Sequence, residues 1–113
     1  MPLNNKKPLT PVQIERAAEI FSTLSEPSRL RLLQYLMPGP KTVSELVSES
    51  GMKQANVSKH LGILRASRLV EREREGNHVR YAVGDELVFR LCDLVCGNLR
   101  EQARQEARSL SGR

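Results

Sequence analysis

Two thiols and one short polar run carry most of the chemistry open to this 113-residue chain. Cys92 and Cys96 are its two cysteines. Four residues span about one helical turn, so on a helix both Sγ atoms leave from one face. Two thiolates so placed suit a soft cation or a metalloid, with or without help from a second subunit. Oxidation and persulfidation are other chemistries open to them. The plain alternative is that both are small buried hydrophobes, as free cysteine often is. An intrahelical disulfide would strain the helix, and a reducing compartment keeps both as thiols.

The polar run is Lys53, Gln54, Asn56, Ser58 and Lys59. Gln54 and Asn56 carry the amide that bonds both edge atoms of adenine, Lys59 can reach guanine or phosphate, and Ser58 serves either. Further on, Arg74, His78 and Arg80 sit where a basic segment would touch phosphates. Between Lys53 and Arg80 there are seven basic and three acidic residues, so this stretch holds +4 of the chain's formal +5. A basic balance attracts polyanions, and double-stranded DNA is the partner this concentration points to. Each signal has a bland counterpart: simple solvation for a polar helix face, and cross-strand pairing for a Glu/Arg alternation.

These residues need elements to hold them. Thr10-Pro11-Val12-Gln13 opens a first helix with a capping box and Pro at its first position. Its apolar face is Ile14, Ala17, Ala18, Phe21 and Leu24. Ser25-Glu26-Pro27 stops it and starts a second helix, whose face is Leu30, Leu33 and Leu36 and which ends at Met37-Pro38-Gly39-Pro40. Thr42 and Glu45 cap a third, Gly51 stops it, and a fourth begins near Lys53 with Val57, Leu61 and Leu64 inward. The period then changes. Val70 to Glu75 alternates, Gly76-Asn77 turns, and Val79 to Val83 alternates again, giving a hairpin of about five residues per arm. A last helix runs from Gly84-Asp85 to about Ser109 with Leu87, Leu91, Leu94, Val95 and Leu99 as its stripe and the cysteines at the margin. The expected fold is mainly α with one β-hairpin: five helices, the hairpin between the fourth and fifth, a winged helix-turn-helix. Residues 1–10 form a flexible segment and 11–109 one DNA-binding and dimerisation domain.

A 39% apolar share with no Trp suggests a core completed by a second copy, hence a homodimer. No apolar run is long enough for a membrane span, and the first residues do not resemble a signal peptide, so a cytoplasmic site is expected. An enzyme is not expected: there is no glycine-rich phosphate loop, no paired carboxylates and no nucleophile with a base at motif spacing. The rival to a DNA-binding protein is an interaction module that keeps the fold and binds no DNA.

Ser25-Glu26-Pro27-Ser28-Arg29-Leu30-Arg31-Leu32-Leu33, Asn56-Val57-Ser58-Lys59-His60-Leu61-Gly62-Ile63-Leu64 and Glu75-Gly76-Asn77-His78-Val79-Arg80-Tyr81 together resemble the second helix, recognition helix and wing of the ArsR-type (arsenic-repressor, metal-sensing) regulators. The likeness covers roughly residues 12 to 100. It implies a homodimer joined through its first and last helices and a repression relieved by a ligand or chemical signal, with the inducer left open. Several family patterns are missing. Lys53 stands where such helices begin with Ser; it is either a phosphate contact or a plain surface lysine. The third helix has Val47-Ser48-Glu49 and no thiolate site. The positions matching the last-helix zinc site are Asp85, Leu87, Asn98 and Glu101, with no imidazole, so no zinc site is expected. Gln34 stands where the sulfide-responsive branch has a cysteine. Cys92 and Cys96 remain as the sensing pair, for thiol-bound arsenite or a soft metal. His60 is read as an inward packing or hydrogen-bonding residue and His78 as a wing-tip phosphate contact.

Overall fold

A computed structural model describes residues 7–111. Its elements follow in order: α1 (Pro11–Leu24), α2 (Pro27–Leu36), β1 (Lys41–Thr42), α3 (Val43–Ser50), α4 (Gln54–Ala66), β2 (Val70–Glu75), β3 (His78–Val83) and α5 (Glu86–Ser111). Of the N-terminal segment expected to be flexible, residues 1–6 lie outside the described residues; residues 7–10 carry no helix or strand.

Local chemistry sets the helix starts. Thr10 Oγ1 accepts from Gln13 N–H at 3.2 Å while Gln13 Oε1 accepts from Thr10 N–H at 2.9 Å. Thr42 and Glu45 repeat this box at the start of α3, at 3.1 and 2.8 Å. Each box satisfies two of the backbone donors that a helix start leaves without partners. Between α1 and α2, Glu26 caps through Oε2, which accepts from Ser28 and Arg29 N–H at 2.8 and 3.2 Å, and Pro27 takes the first helical position.

The buried core comes from the middle of the chain: Leu32, Leu33 and Leu36 of α2, Leu46 of α3, Val57, Leu61 and Leu64 of α4, and Leu69 and Val70 at the hairpin root. Among the described residues, Val88 alone joins it from α5, and Thr23 alone is buried from α1. Two expectations are corrected here. Leu30 is not core but 41% exposed, and Leu32 takes its place, because α2 is covered on two sides. Along α5, Leu94, Val95 and Leu99 stay largely exposed in the single chain, and the inward residue of the first turn is Val88 instead of Leu87.

The hairpin has six residues per arm, one more than expected. The strand order is β1-β3-β2, all neighbours antiparallel. The two-residue β1, which no periodicity could reveal, pairs Lys41 with Tyr81 and Thr42 with Arg80 and ties the start of α3 to the wing.

Candidate nucleic-acid interface

The turn between α3 and α4 is built from local hydrogen bonds. Gly51 takes a left-handed φ of 73°, which only glycine adopts cheaply, and its N–H reaches Val47 O at 3.0 Å. Ser50 Oγ accepts from Met52 N–H at 3.1 Å. Lys53 is the N-cap of α4 and makes no side-chain cap bond. From there α4 divides cleanly. Val57, His60, Leu61 and Leu64 are buried, while Lys53, Gln54, Asn56, Ser58 and Lys59 are all exposed. Among the described residues, none of those five exposed side chains has a hydrogen-bond or ion-pair partner within the chain. A short polar face with free amides and ammonium groups, backed by a packed inner face, is what a major groove admits.

His60 explains how the inner face is held. Its Nδ1 lies 3.3 Å from Arg29 Nη1, and its Nε2 lies 3.8 Å from Glu26 Oε2. A guanidinium only donates, so Nδ1 is the accepting atom of that contact, and Nε2 is turned towards the carboxylate. Arg29 is fixed in turn, because its Nε donates to Thr23 O at 2.6 Å. His60 is thus the inward, hydrogen-bonded residue the sequence suggests. The roles of Glu26 and Arg29 were missed: their stretch was legible only as a helix break and a family hallmark, since the contact to His60 spans 31 positions.

The wing does not present its three basic candidates together. Directly opposed residues share a face, and β2 pairs Glu73 with Arg80, Arg74 with Val79 and Glu75 with His78. Arg80 and His78 therefore lie on the face of Glu73 and Glu75, and Arg74 lies on the other with Arg72. Arg80 is further engaged, 3.4 Å from Glu45 Oε1 and 4.0 Å from Glu75 Oε1. Thr42 N–H, and after it the Thr42 side chain, Arg80 and Lys41, hold the Glu45 carboxyl below its usual range. Arg74 and His78 are exposed.

Cys92 and Cys96 line one apolar groove of about 460 Å³ between α1, α2 and α5. Its walls include Phe21, Leu24, Leu30, Gln34 and Leu91. Both thiols are half-buried, and Gln34 Nε2 lies 3.4 Å from Cys96 Sγ as a donor. Burial, then Cys96 and Asp93, push the Cys92 thiol above its ordinary value. Gln34 thus faces the α5 thiols across the groove.

Comparison with known proteins decides the family. The family model for bacterial regulatory proteins of the arsR family matches residues 26–72. The HTH-type transcriptional regulator NmtR of Mycobacterium tuberculosis is 38% identical over 90 residues, covering 77% of this chain and 75% of that one. The chain belongs to the arsR family.

A probable mercury resistance operon repressor of Streptomyces lividans is 40% identical over 81 residues, 72% of this chain; the chain spans only 62% of that relative's length. Among solved structures, an antimony-specific transcriptional repressor, AntR, has a TM-score of 0.77 at 32% identity, covering 91% of this chain and 93% of that one. The homodimeric winged helix-turn-helix DNA-binding domain of a possible ArsR-family regulator from Mycobacterium bovis has a TM-score of 0.78 at 26% identity, covering 91% and 95%. The fold of this arsR-family chain is accordingly a winged helix-turn-helix. Its relatives are transcriptional regulators and not enzymes, in line with the sequence.

Within this arsR-family chain the two acidic residues left at the zinc positions have other partners. Asp85 Oδ1 accepts from Leu87 N–H at 2.9 Å, and Glu101 pairs with Arg104 and Gln105. Among the described residues no three His, Cys, Asp or Glu side chains group as a metal site, and no helix is long and apolar enough to cross a membrane.

Proposed function

We propose that this chain is a transcriptional repressor that binds a pseudo-palindromic operator as a homodimer in the cytoplasm, and that a soft metal or metalloid on Cys92 and Cys96 releases it. The observation that carries the DNA half is the division of α4: its inner face is gripped by α2, while Gln54, Asn56, Ser58 and Lys59 are exposed and unengaged. Lys53 and Arg74 supply phosphate contacts, with His78 beside the turn. Arg80 joins them by leaving exposed ion pairs to Glu45 and Glu75, which are worth little in water.

Dimerisation answers the bare apolar faces. Val12 is 74% exposed, Phe21 65% and Leu94 71%. A two-fold pairing through α1 and α5 covers them and sets two α4 helices about 34 Å apart, one turn of DNA.

Two thiols on one groove suit a soft thiophile and fall short of zinc's four-ligand set. The mercury and antimony repressors among the relatives favour the same ligand class. Cys92 and Cys96 would hold such a ligand from α5, next to the pairing surface, as thiolates that have given up their protons. The direct test is fluorescence anisotropy on a duplex selected by the protein from a random pool. Native protein and a Cys92→Ser, Cys96→Ser double variant are each titrated with and without arsenite, cadmium and a persulfide donor. The native protein should lose at least about tenfold in affinity with one of these agents, and the double variant none. Equal responses from both would remove the sensing role.

A further inference from the structure

Hydrogen bonds grip the α3–α4 unit at three points along its length, and three of the donors or acceptors lie between residues 23 and 31. Before α4 begins, Arg31 Nη2 donates to Ser50 O at 2.7 Å. Midway, Arg29 Nη1 meets His60 Nδ1 at 3.3 Å. Just past the end, Thr23 Oγ1 and Ser67 Oγ share a buried bond of 2.8 Å, beside which Arg16 Nη2 donates to Ser67 O at 2.6 Å. Residues of this same stretch and the turn of α2 that follows it wall the cysteine groove: Leu24, Ser25, Leu30, Arg31 and Gln34. Arg31 belongs to both sets. Gln34 adds a direct tie to Cys96.

We infer that Thr23, Arg29 and Arg31 are positioning residues for the recognition helix, and that the α1–α2 junction is where the contents of the groove are read as the orientation of α4. The second half rests on the sensing role proposed above; the first does not. α4 has 13 residues and so measures about 20 Å. A tilt of a few degrees about one end moves the other by about an ångström. Bidentate bonds from Gln54 or Asn56 to a base edge fail at such displacements. Long, flexible Lys and Arg side chains follow a phosphate through the same movement. Loosening these grips therefore costs sequence preference before it costs general affinity. With a ligand held on Cys92 and Cys96, Gln34 would shift with Cys96 and press towards Arg31, whose charge-assisted bond to Ser50 O restrains the end of α3 just before the turn into α4.

The test uses Arg31→Met and Thr23→Val, which keep bulk and remove the donor head and the hydroxyl, and Arg31→Lys as the conservative variant. Affinity is measured for the selected duplex and for a scrambled duplex of equal length. Arg31→Met and Thr23→Val should each bind the selected duplex about tenfold more weakly and the scrambled one unchanged, with Arg31→Lys recovering part of the preference. Circular dichroism and urea unfolding follow the fold in parallel. A variant that is merely less stable, with the native preference ratio intact, overturns the positioning role. Cadmium is then added. Native protein and Arg31→Met should develop the same thiolate-to-cadmium charge-transfer band, but only the native protein should release DNA fully. Native-like release by Arg31→Met overturns the coupling. If the native protein holds DNA in cadmium and in arsenite alike, the sensing role fails and the coupling with it, while the preference ratio still decides the positioning role.

Discussion

Cys92 packs partly buried against the core, and its surroundings work against a thiolate. Burial is the main cause, and the neighbouring Cys96 and Asp93 add to it. A thiol with a raised pKa is protonated at neutral pH and reacts only as pH climbs through and beyond the ordinary thiol range. Iodoacetamide labelling of a Cys96→Ser variant, followed by mass, should therefore be slow near neutrality and accelerate with pH past the point where a free cysteine levels off. A rate that is flat with pH would contradict the burial. A soft ion that displaces the proton shares this dependence, so its affinity rises with pH too. Lys53 shows the opposite economy at residue scale: an ammonium at the positive end of α4, with no cap bond, is a small standing cost.

At the scale of elements, what was legible in the sequence follows the range of the interaction. Capping boxes at Thr10 and Thr42 obey an i, i+3 rule and could be read directly. The outer face of α4 was legible because its buried partners recur at helical spacing. The two-residue β1, the division of Arg74 from Arg80 across the wing and the grip of Arg29 on His60 depend on register or on contacts far apart in the chain. The end of α4 was also missed, because it breaks the usual rule. Leu69 N–H reaches Leu64 O and Arg68 N–H reaches Arg65 O, both at 2.9 Å, a left-handed helix end in which Arg68 has a φ of 62°. Glycine is the ordinary residue there. Arg68→Gly should raise stability by about 1 kcal/mol. Gly84→Ala should lower it by about 1–3 kcal/mol, since a Cβ would stand 2.7 Å from Glu71 Cγ and 3.3 Å from the Glu71 nitrogen. Urea unfolding reads both, and shifts of the same sign would contradict this account of the hairpin root.

For the molecule as a whole, the core sits in α2, α3, α4 and the hairpin root, while α1 and α5 keep apolar faces in water. Paired copies should therefore be the stable form. Sedimentation at low micromolar concentration should show a dimer, and Phe21→Glu or Leu94→Glu should shift it towards monomer. A folded native monomer at that concentration would contradict the pairing. On the proposed reading, the charge of +5, mostly between Lys53 and Arg80, would draw a dimer to any duplex, and choice among sequences would come from α4. The most direct measurement of that claim compares native protein with a Gln54→Ala, Asn56→Ala double variant on the selected and scrambled duplexes across a range of salt. The double variant should lose about 1–3 kcal/mol for each side chain on the selected duplex and keep native affinity and salt slope on the scrambled one. A double variant that still prefers the selected duplex as strongly as the native protein would show that α4 does not read the sequence.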